Sequence, residues 1–291
     1  MTPLLFYFNY PSVIGIKCAI KKNEVGIDIK ITDVLTPLAC GFLVNEIIKY
    51  LVYQKSQIPY PYNWLQTVVA RKRKSMESHN PQTTNNLLVE RHYKITSAAY
   101  DTVEEIMSNI KTEFKDSIQY IKEVLIIFGA TPYTPKEVFR INVPVLQENH
   151  IEANHIKSMQ KSQQKILRDL FLSQDWLKAM ESNFPTTNMY VMLKKHQEDL
   201  QKDESLFSLI SNYNIPTNSN CVTINLDYTN ETGHVCCSNI AVFNDSLNVG
   251  NKCPQIPSKS SDSKELWYQA KVYLKGFKDC YINKVSATEL F

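Results

Sequence analysis

The stretch FGATPYTPKEVFRINVPV, Phe128 to Val145, decides the fold of this chain because it reverses direction between two apolar runs. The run that enters it, Val124 to Ile127, is apolar and mostly β-branched, which is typical of a buried strand. Gly129, Pro132 and Pro135 separate the runs, and a proline fixes its own φ and keeps the preceding residue out of the helical region. We therefore predict a β-hairpin with a tight turn between Gly129 and Pro135.

Helical spacing dominates the chain on both sides of this hairpin. GIDIKITDV, Gly26 to Val34, first alternates apolar and polar residues as a half-buried strand does. Apolar residues that recur on one face then predict three helices: from Thr36-Pro37 to about Ile58, from about Ile95 to Tyr120, and from about His150 to Ser182. Residues 70–92 are polar and show no period, so we predict a mobile connection there.

Extended runs make up most of the C-terminal half: NMYVML at Asn188, CVTINLDYT at Cys221, CCSNIAVF at Cys236 and LWYQAKVYLKGF at Leu266. A strand, three helices interrupted by one hairpin, and a β-rich remainder predict an α+β fold. In it, three helices pack on a mostly antiparallel sheet. The sequence has no internal repeat and no clean linker, so we expect a single domain.

The composition is that of an ordinary globular protein, with 291 residues, 43% of them hydrophobic and 21% charged. A net charge of +3 is too small to indicate a nucleic-acid binder. Seven scattered cysteines without a CxxC pair argue against a disulfide framework or a zinc site and favour reduced thiols in the cytosol or nucleus. The apolar opening, MTPLLFYFNYPSVIGI, is shorter than the roughly 20 residues that span a bilayer, so we expect no membrane anchor.

Catalytic motifs are absent from the sequence: it contains no GxSxG, P-loop, GxGxxG or HExxH. His150 and His155 are five residues apart on a predicted helix, so they diverge, unlike the i,i+4 pair that binds zinc. Cys236 lies close to His234, and a cysteine nucleophile there stays open because catalytic groups assemble in space rather than in sequence. We expect no catalytic residue, no metal and no cofactor.

A basic run, Arg71, Lys72, Arg73 and Lys74, lies in the predicted connection. Such a run is typical of a nuclear import signal, of a phosphate-contacting patch or of a solvated loop. No aromatic residues are spaced for stacking on bases, which argues against nucleic-acid binding.

The third predicted helix carries more apolar surface than a sheet needs to cover. Met159, Gln163, Ile166, Leu170 and Leu177 form its core-facing stripe, whereas Leu167 and Phe171 lie about 80 to 120° round from the centre of that stripe. Either a loop of the same chain or a partner protein covers this second set. Leu172 and Trp176 lie on yet another side, which indicates that this end of the helix is buried nearly all round.

Four blocks in register resemble the comet family, the animal proteins that bind the spindle-checkpoint protein Mad2 (Mad-two). They are NEIIKYLVYQKSQIPYPYNWL (Asn45 to Leu65), VLIIFGATPYTPKEVF (Val124 to Phe139), NYNIPTNSNCVTINL (Asn212 to Leu226) and WYQAKVYLKGFKD (Trp267 to Asp279). The resemblance runs from about Ile27 to Asp279. It implies a single HORMA-like domain over residues 24–280, an N-terminal extension of uncertain role over 1–23 and a C-terminal tail over 281–291.

In this family a C-terminal "safety belt" completes a sheet that three helices back. The belt falls here on Trp267, Tyr268, Lys275, Gly276 and Phe277. The resemblance implies an adaptor without chemistry of its own, which caps the closed conformer of Mad2 through the central helix. The adaptor presents it to a hexameric AAA+ ATPase, and the mitotic checkpoint complex is dismantled. ATP would belong to that partner.

The residues carried over from the family are few. The glutamine that the family uses against Mad2 is Gln54, and its aromatic residue on the central helix is Leu167 here, which buries less apolar area than a ring. Together with Gln164, Arg168 and Phe171 these residues form the predicted partner-binding patch.

The chain departs from the family pattern at Leu209-Ile210-Ser211, where a Pro-Lys pair linked to the ATPase is expected. A second interpretation is a HORMA-type receptor that clasps an extended client peptide under its belt by β-augmentation. A free groove would favour that receptor. The resemblance and the basic run also lead us to expect the protein in nucleus and cytoplasm, and on the spindle or kinetochore in mitosis.

Overall fold

A computed structural model describes residues 24–31, 35–77, 86–116, 121–144, 146, 152–196, 206–228 and 265–291. These residues contain five α-helices: α1 (Pro37–Gln54), α2 (Tyr62–Glu77), α3 (Leu87–Asp116), α4 (Glu152–Phe171) and α5 (Gln174–Met180). They also contain ten strands: β1 (Glu24–Ile31), β2 (Ile121–Gly129), β3 (Pro135–Asn142), β4 (Asn188–His196), β5 (Phe207–Ile210), β6 (Asn220–Tyr228), β7 (Glu265–Ala270), β8 (Leu274–Lys275), β9 (Tyr281–Ile282) and β10 (Val285–Ser286). The predicted α+β class is confirmed, but the count of three helices is wrong.

The first eight strands form one mixed sheet in the order β1-β6-β3-β2-β4-β7-β5, with β8 paired to β4 beyond the end of β7. β6 runs parallel to both β1 and β3, and the other pairings are antiparallel. The prediction of a mostly antiparallel sheet is therefore confirmed. β9 and β10 form a separate small hairpin.

The hairpin predicted from the opening stretch is the pair β2 and β3. Ile127 pairs with Val138, and the register shifts between Phe128 and Gly129 at the turn. A Cβ on Gly129 would come within 2.6 Å of the Thr134 carbonyl oxygen, so the turn requires glycine for its close approach. The apolar side chains of both strands are buried because a core cluster covers each face of the sheet here.

The sheet has two faces. The helix face packs against the helices, and α1 is the most deeply buried helix, with Leu43, Val44, Ile47, Ile48 and Leu51 all at 0% exposure. The opposite face, called the back face here, has its own small cluster of Leu125, Ile127, Val138, Tyr190, Met192, Tyr213 and Cys221. Alternation along each strand sends one side chain to each face in turn.

The connection predicted over residues 70–92 is wrong for its described part, because α2 runs to Glu77 and α3 already begins at Leu87. Buried residues of α2 recur at helical spacing, at Tyr62, Leu65, Val69 and Lys72. Tyr62 donates a hydrogen bond to Glu104 of α3, which ties the start of the helix down. A short amphipathic helix therefore replaces the first part of the expected loop.

The helix predicted to run to Ser182 breaks after Phe171. Ser173 is the N-cap of α5, and its hydroxyl accepts a hydrogen bond from the Trp176 amide at 3.2 Å. The break explains why Trp176 did not fit the apolar stripe, since α5 turns the indole into the core at 0% exposure. It also overturns the placement of Leu177 in that stripe, because this side chain is 45% exposed.

Residues 279–291, called the C-terminal strap here, fold back onto α3. Asn283 and Lys284 have positive φ angles of 50° and 68°, which suits the two-residue turn between β9 and β10. The Tyr60 hydroxyl lies 2.9 Å from the Ser286 hydroxyl, and Phe291 packs edge-on against Tyr93. The strap therefore continues the folded structure past residue 280.

His92 of α3 is the buried polar group beneath this strap. It is 4% exposed, and its Nε2 lies 3.4 Å from the Asp279 carboxylate. Burial lowers the pKa of His92 below its ordinary value of 6.5, although Asp279 acts in the opposite direction. The folded protein therefore favours the neutral form of the His92 imidazole.

We expect the free energy of unfolding to fall as the pH is lowered from about 7.5 to about 5.5. The sign follows from the depressed pKa, because the unfolded chain takes up the proton at a higher pH than the folded chain does. Urea unfolding of wild type and His92→Gln at both pH values measures this. The variant should lose less stability than the wild type, and an equal loss in both proteins would contradict the assignment.

Candidate partner-binding surface

An aromatic stack joins α1 to the end of α4. The rings of Tyr50 and Phe171 are stacked with centroids 4.2 Å apart, and Trp176 of α5 lies within 5.8 Å of Tyr50 and 5.5 Å of Phe171. Farther along α4, the Gln163 side chain donates to the Ala39 carbonyl at 3.0 Å. The two helices are thus held in a fixed mutual position along their length.

The predicted partner-binding residues lie around this stack. On α4, Gln164 and Arg168 are exposed, whereas Leu167 and Phe171 are half-buried and pack against the core. On α1, Gln54 is partly exposed and follows Tyr50 by four residues, which places it one turn farther along the same side of the helix. We call these five residues together with Tyr50 the α1–α4 surface.

Leu167 and Phe171 are half-buried. Their burial bears on whether the chain itself or a partner protein covers the extra apolar area of the helix. Phe171 is partly covered by Tyr50 and Trp176, residues of the chain itself. The remaining area of Leu167 and Phe171 faces outward between exposed polar neighbours. Such a mixture of fixed apolar area and polar rim is typical of a protein-binding surface.

Three large apolar side chains outside the predicted partner-binding patch are exposed near the ends of α1 and α4 and on α5. Tyr53 of α1 is 43% exposed, Leu172 at the end of α4 is 69% exposed, and Leu177 of α5 is 45% exposed. Leu172 and Leu177 are exposed because the helix breaks after Phe171. A continuous helix, as predicted from the sequence, does not indicate this exposure. The three side chains add apolar area beside the α1–α4 surface.

The predicted belt residues lie on β7, β8 and the segment that follows. Trp267 and Tyr268 pair with β4 and β5, and Lys275 pairs with Asn188 of β4. A Cβ on Gly276 would come within 2.5 Å of the Thr187 carbonyl oxygen, and the Phe277 amide donates to the Gln57 carbonyl at 2.9 Å. The segment is thus fastened to the end of α1, next to Gln54.

The basic run lies on α2 rather than in a loop. Lys72 is 7% exposed and pairs with Glu90 at 3.2 Å. Arg73 donates to both carboxylate oxygens of Asp101, at 2.8 and 2.7 Å. Arg71 and Lys74 are exposed. An import receptor would therefore meet two outward basic side chains on a helix, with the other two engaged by α3.

The described part of the chain holds only some of the residues considered for catalysis or metal binding. It contains no group of three or more His, Cys, Asp or Glu side chains placed to hold a metal ion. Burial raises the pKa of the Cys40 thiol to about 12, which makes it unreactive. The side chain of His155, like residues His150, His234 and Cys236, lies outside what the structure describes. Within the described residues, none of the helices has the length and apolarity needed to cross a membrane.

These features define a class: an α+β domain that displays a fixed, partly apolar helical surface of the kind that binds another protein. A family model described as "p31comet: Mad1 and Cdc20-bound-Mad2 binding" matches residues 32–239, well over half of the sequence. The chain belongs to the p31comet family, and the predicted resemblance is confirmed. The match covers the first three of the four blocks, and Trp267 to Asp279 lies beyond it.

Two relatives carry the name "MAD2L1-binding protein". The mouse (Mus musculus) protein is 21% identical over 240 residues, which cover 82% of this chain and 74% of the relative. The human (Homo sapiens) protein is 21% identical over 243 residues, covering 82% of this chain and 75% of the relative. The low identity means that individual side chains must be argued from this structure.

Proposed function

We propose that this protein is a non-enzymatic adaptor that binds Mad2 in its closed conformer through the α1–α4 surface. The observation that carries the proposal is the Tyr50–Phe171 stack, with Gln54 one turn beyond Tyr50 on α1 and Leu167 one turn before Phe171 on α4. The stack fixes the outward apolar area before a partner arrives, so little side-chain freedom is lost on binding. Family membership and the names of the two relatives support Mad2 as that partner.

The proposal includes a HORMA-like fold, with β7 and β8 as the belt. Its support is the order of elements and the way that the belt strands pair with β4. A receptor that binds a client peptide by β-augmentation needs a strand with an unpaired edge beside the belt. β4 already has β2 on one side and β7 with β8 on the other, which favours the adaptor.

Delivery to an AAA+ ATPase, which would dismantle the mitotic checkpoint complex and silence the checkpoint, is part of the same proposal. ATP would be bound by that partner. The segment Leu209-Ile210-Ser211, where the family's Pro-Lys pair is replaced, lies at the end of β5, the edge strand of the sheet. Contact with the ATPase would therefore use other side chains on this edge. We also propose residence in nucleus and cytoplasm and at the spindle or kinetochore in mitosis.

The proposed adaptor function is tested by comparing binding to Mad2 variants that are locked in the closed or in the open conformer. We expect the full chain to be retained by a Mad2 variant locked closed and to be retained at least about tenfold less by a variant locked open. The reason is that a preformed surface fits one arrangement of its partner and loses contacts with the other. Pull-down followed by titration calorimetry measures both.

Equal capture by the two Mad2 variants, or capture by neither, would reject the adaptor. The matched control is Lys94→Ala on the exposed side of α3, which should bind closed Mad2 as the wild type does.

A further inference from the structure

Four tyrosines cluster on the back face, around the turn between β2 and β3. The hydroxyls of Tyr190 and Tyr213 donate to backbone carbonyls of that turn, at 2.8 and 3.0 Å. Tyr133 packs against Tyr213 with ring centroids 5.7 Å apart, and Tyr273 stacks on Tyr190 with centroids 5.0 Å apart. Two anchored inner rings therefore hold two outer rings in place.

The outer rings are open to solvent. Tyr133 is 59% exposed and Tyr273 is 47% exposed, whereas Tyr190 and Tyr213 are buried at 7% and 3%. A half-exposed tyrosine that is already fixed offers ring area and a hydroxyl with little conformational entropy left to lose. Tyrosine is among the residues that dominate binding energy at protein interfaces. The pair therefore has the character of a docking site.

Lysines flank the outer tyrosines. Between residues 270 and 275 the side chains alternate, and Ala270, Val272 and Leu274 belong to or pack against the main core. Tyr273 stacks on Tyr190 of the back face, and the lysines two residues before and after it, Lys271 and Lys275, are exposed. The same alternation on β3 places exposed Lys136 there as well, next to Val138 of the back-face cluster.

Acidic side chains are missing from the segments that form this patch. Residues 130–136, 182–195, 206–222 and 266–278 contain no aspartate or glutamate. Four carboxylates directly flank these segments in sequence. Glu137 is 2% exposed on the helix face, where it pairs with Lys55. Glu265 pairs with Lys122 and Lys194, Asp279 lies against His92, and Glu181 is exposed. The charged side chains of these described segments are therefore all lysines, which favours a negatively charged ligand beside the two exposed rings.

We propose that Tyr133 and Tyr273, with Lys136, Lys271 and Lys275, dock an acidic, extended segment of a partner protein. The lysines attract and orient the carboxylates, and the two rings take up apolar side chains between them. Nucleic acid is disfavoured by the small number of lysines and by the net charge of +3. The patch lies on the back face and the α1–α4 surface on the helix side, so one molecule can hold both partners together.

A short fluorescein-labelled peptide that alternates Glu and Leu serves as the probe, and fluorescence anisotropy with the full chain as the measurement. We expect binding that weakens as salt is raised. The variant Lys136→Glu/Lys271→Glu/Lys275→Glu should bind at least about tenfold more weakly, because each contact becomes repulsive. Tyr133→Ser/Tyr273→Ser should also weaken binding but leave the salt dependence unchanged. Far-ultraviolet circular dichroism checks that both variants are folded.

The matched control places the same charge change on α3, as Arg91→Glu/Lys94→Glu/Lys115→Glu, and should bind the probe within about twofold of the wild type. The proposal is overturned if the control loses as much affinity as the patch variant. It is equally overturned if a peptide with Lys in place of Glu binds as well, or if single-stranded DNA binds as tightly with the same lysine dependence. Capture of closed Mad2 by the patch variant should stay unchanged.

Discussion

Glu137→Ala is expected to lower the free energy of unfolding by about 3–5 kcal/mol, because it leaves a buried ammonium without its counter-ion. Lys55 at the end of α1 is 0% exposed in its side chain and lies 2.7 Å from the Glu137 carboxylate of β3. The same ammonium donates to the carbonyls of Ala179 and Ser182 at 2.8 and 3.0 Å. Urea unfolding followed by circular dichroism measures the loss.

The expected loss of stability arises from the buried, unpaired ammonium of Lys55, and not from a large net stabilisation by the ion pair. Burial raises the pKa of Glu137, and the Lys55 ammonium beside it acts in the opposite direction because it stabilises the carboxylate. Lys55→Met/Glu137→Leu removes both charges and fills the space, so it should recover most of the stability lost by Glu137→Ala. A double variant as unstable as the single one would contradict this explanation.

The pair also bears on function, since it holds the end of α1 against β3 and the segment after α5. Gln54 immediately precedes Lys55, and the Gln57 side-chain carbonyl accepts a hydrogen bond from the Thr187 amide at 2.7 Å. Loss of the Lys55–Glu137 pair would increase the mobility of the belt and of the end of α1, which carries one side of the α1–α4 surface. Destabilised variants should therefore be compared with the wild type at low temperature when binding is measured.

Local signals in the sequence were enough for the hairpin and for most of the helices. Gly129 and two prolines specify the turn without reference to any distant residue. The Lys55–Glu137 pair joins residues far apart in sequence, and nothing in either neighbourhood indicates the partner. Pairing of that kind is set by how α1 lies across β3, which is a property of the assembled sheet.

Two errors in the helices have specific physical causes. α2 was hidden because its polar side is rich in Arg and Lys, although Leu65, Val68 and Val69 carry a short apolar face. The break between α4 and α5 was missed because Ser173 was treated as a helix-interior residue, whereas a serine followed by Asp175 in the first turn favours an N-cap.

The candidate surfaces were predictable to different degrees. The resemblance to the comet family led to Gln54 and Leu167. The fold adds the stack of Tyr50 on Phe171, which joins the two helices that carry these residues. Tyr133 and Tyr273 drew no attention as single residues. They come together because the turn between β2 and β3 and the segment before β8 both meet Tyr190.

Leu167→Asp is expected to weaken capture of closed Mad2 by about thirtyfold or more, because losing a hot-spot residue near the centre of an interface costs about 2 kcal/mol or more. Leu167 is half-buried at the middle of the α1–α4 surface, so a carboxylate there would lose its water when the partner binds. Gln54→Ala/Leu167→Ala should abolish capture in a pull-down, since it removes the polar and the apolar contact together. Titration calorimetry gives the affinities.

The opposite change sharpens the argument, because it predicts a gain. Leu167→Phe places a ring where the resemblance to the comet family implies one, and it should tighten binding by about two- to fivefold through the added apolar area. Lys165→Ala, an exposed position on the same helix, changes the net charge by the same unit as Leu167→Asp and should bind as the wild type does. If Leu167→Asp unfolds at the wild-type urea concentration and still binds closed Mad2 at full strength, Mad2 does not bind at this surface. Leu167 lies between the polar side chains of Gln164 and Arg168 on the exposed side of α4. A partner that binds the α1–α4 surface must therefore cover Leu167.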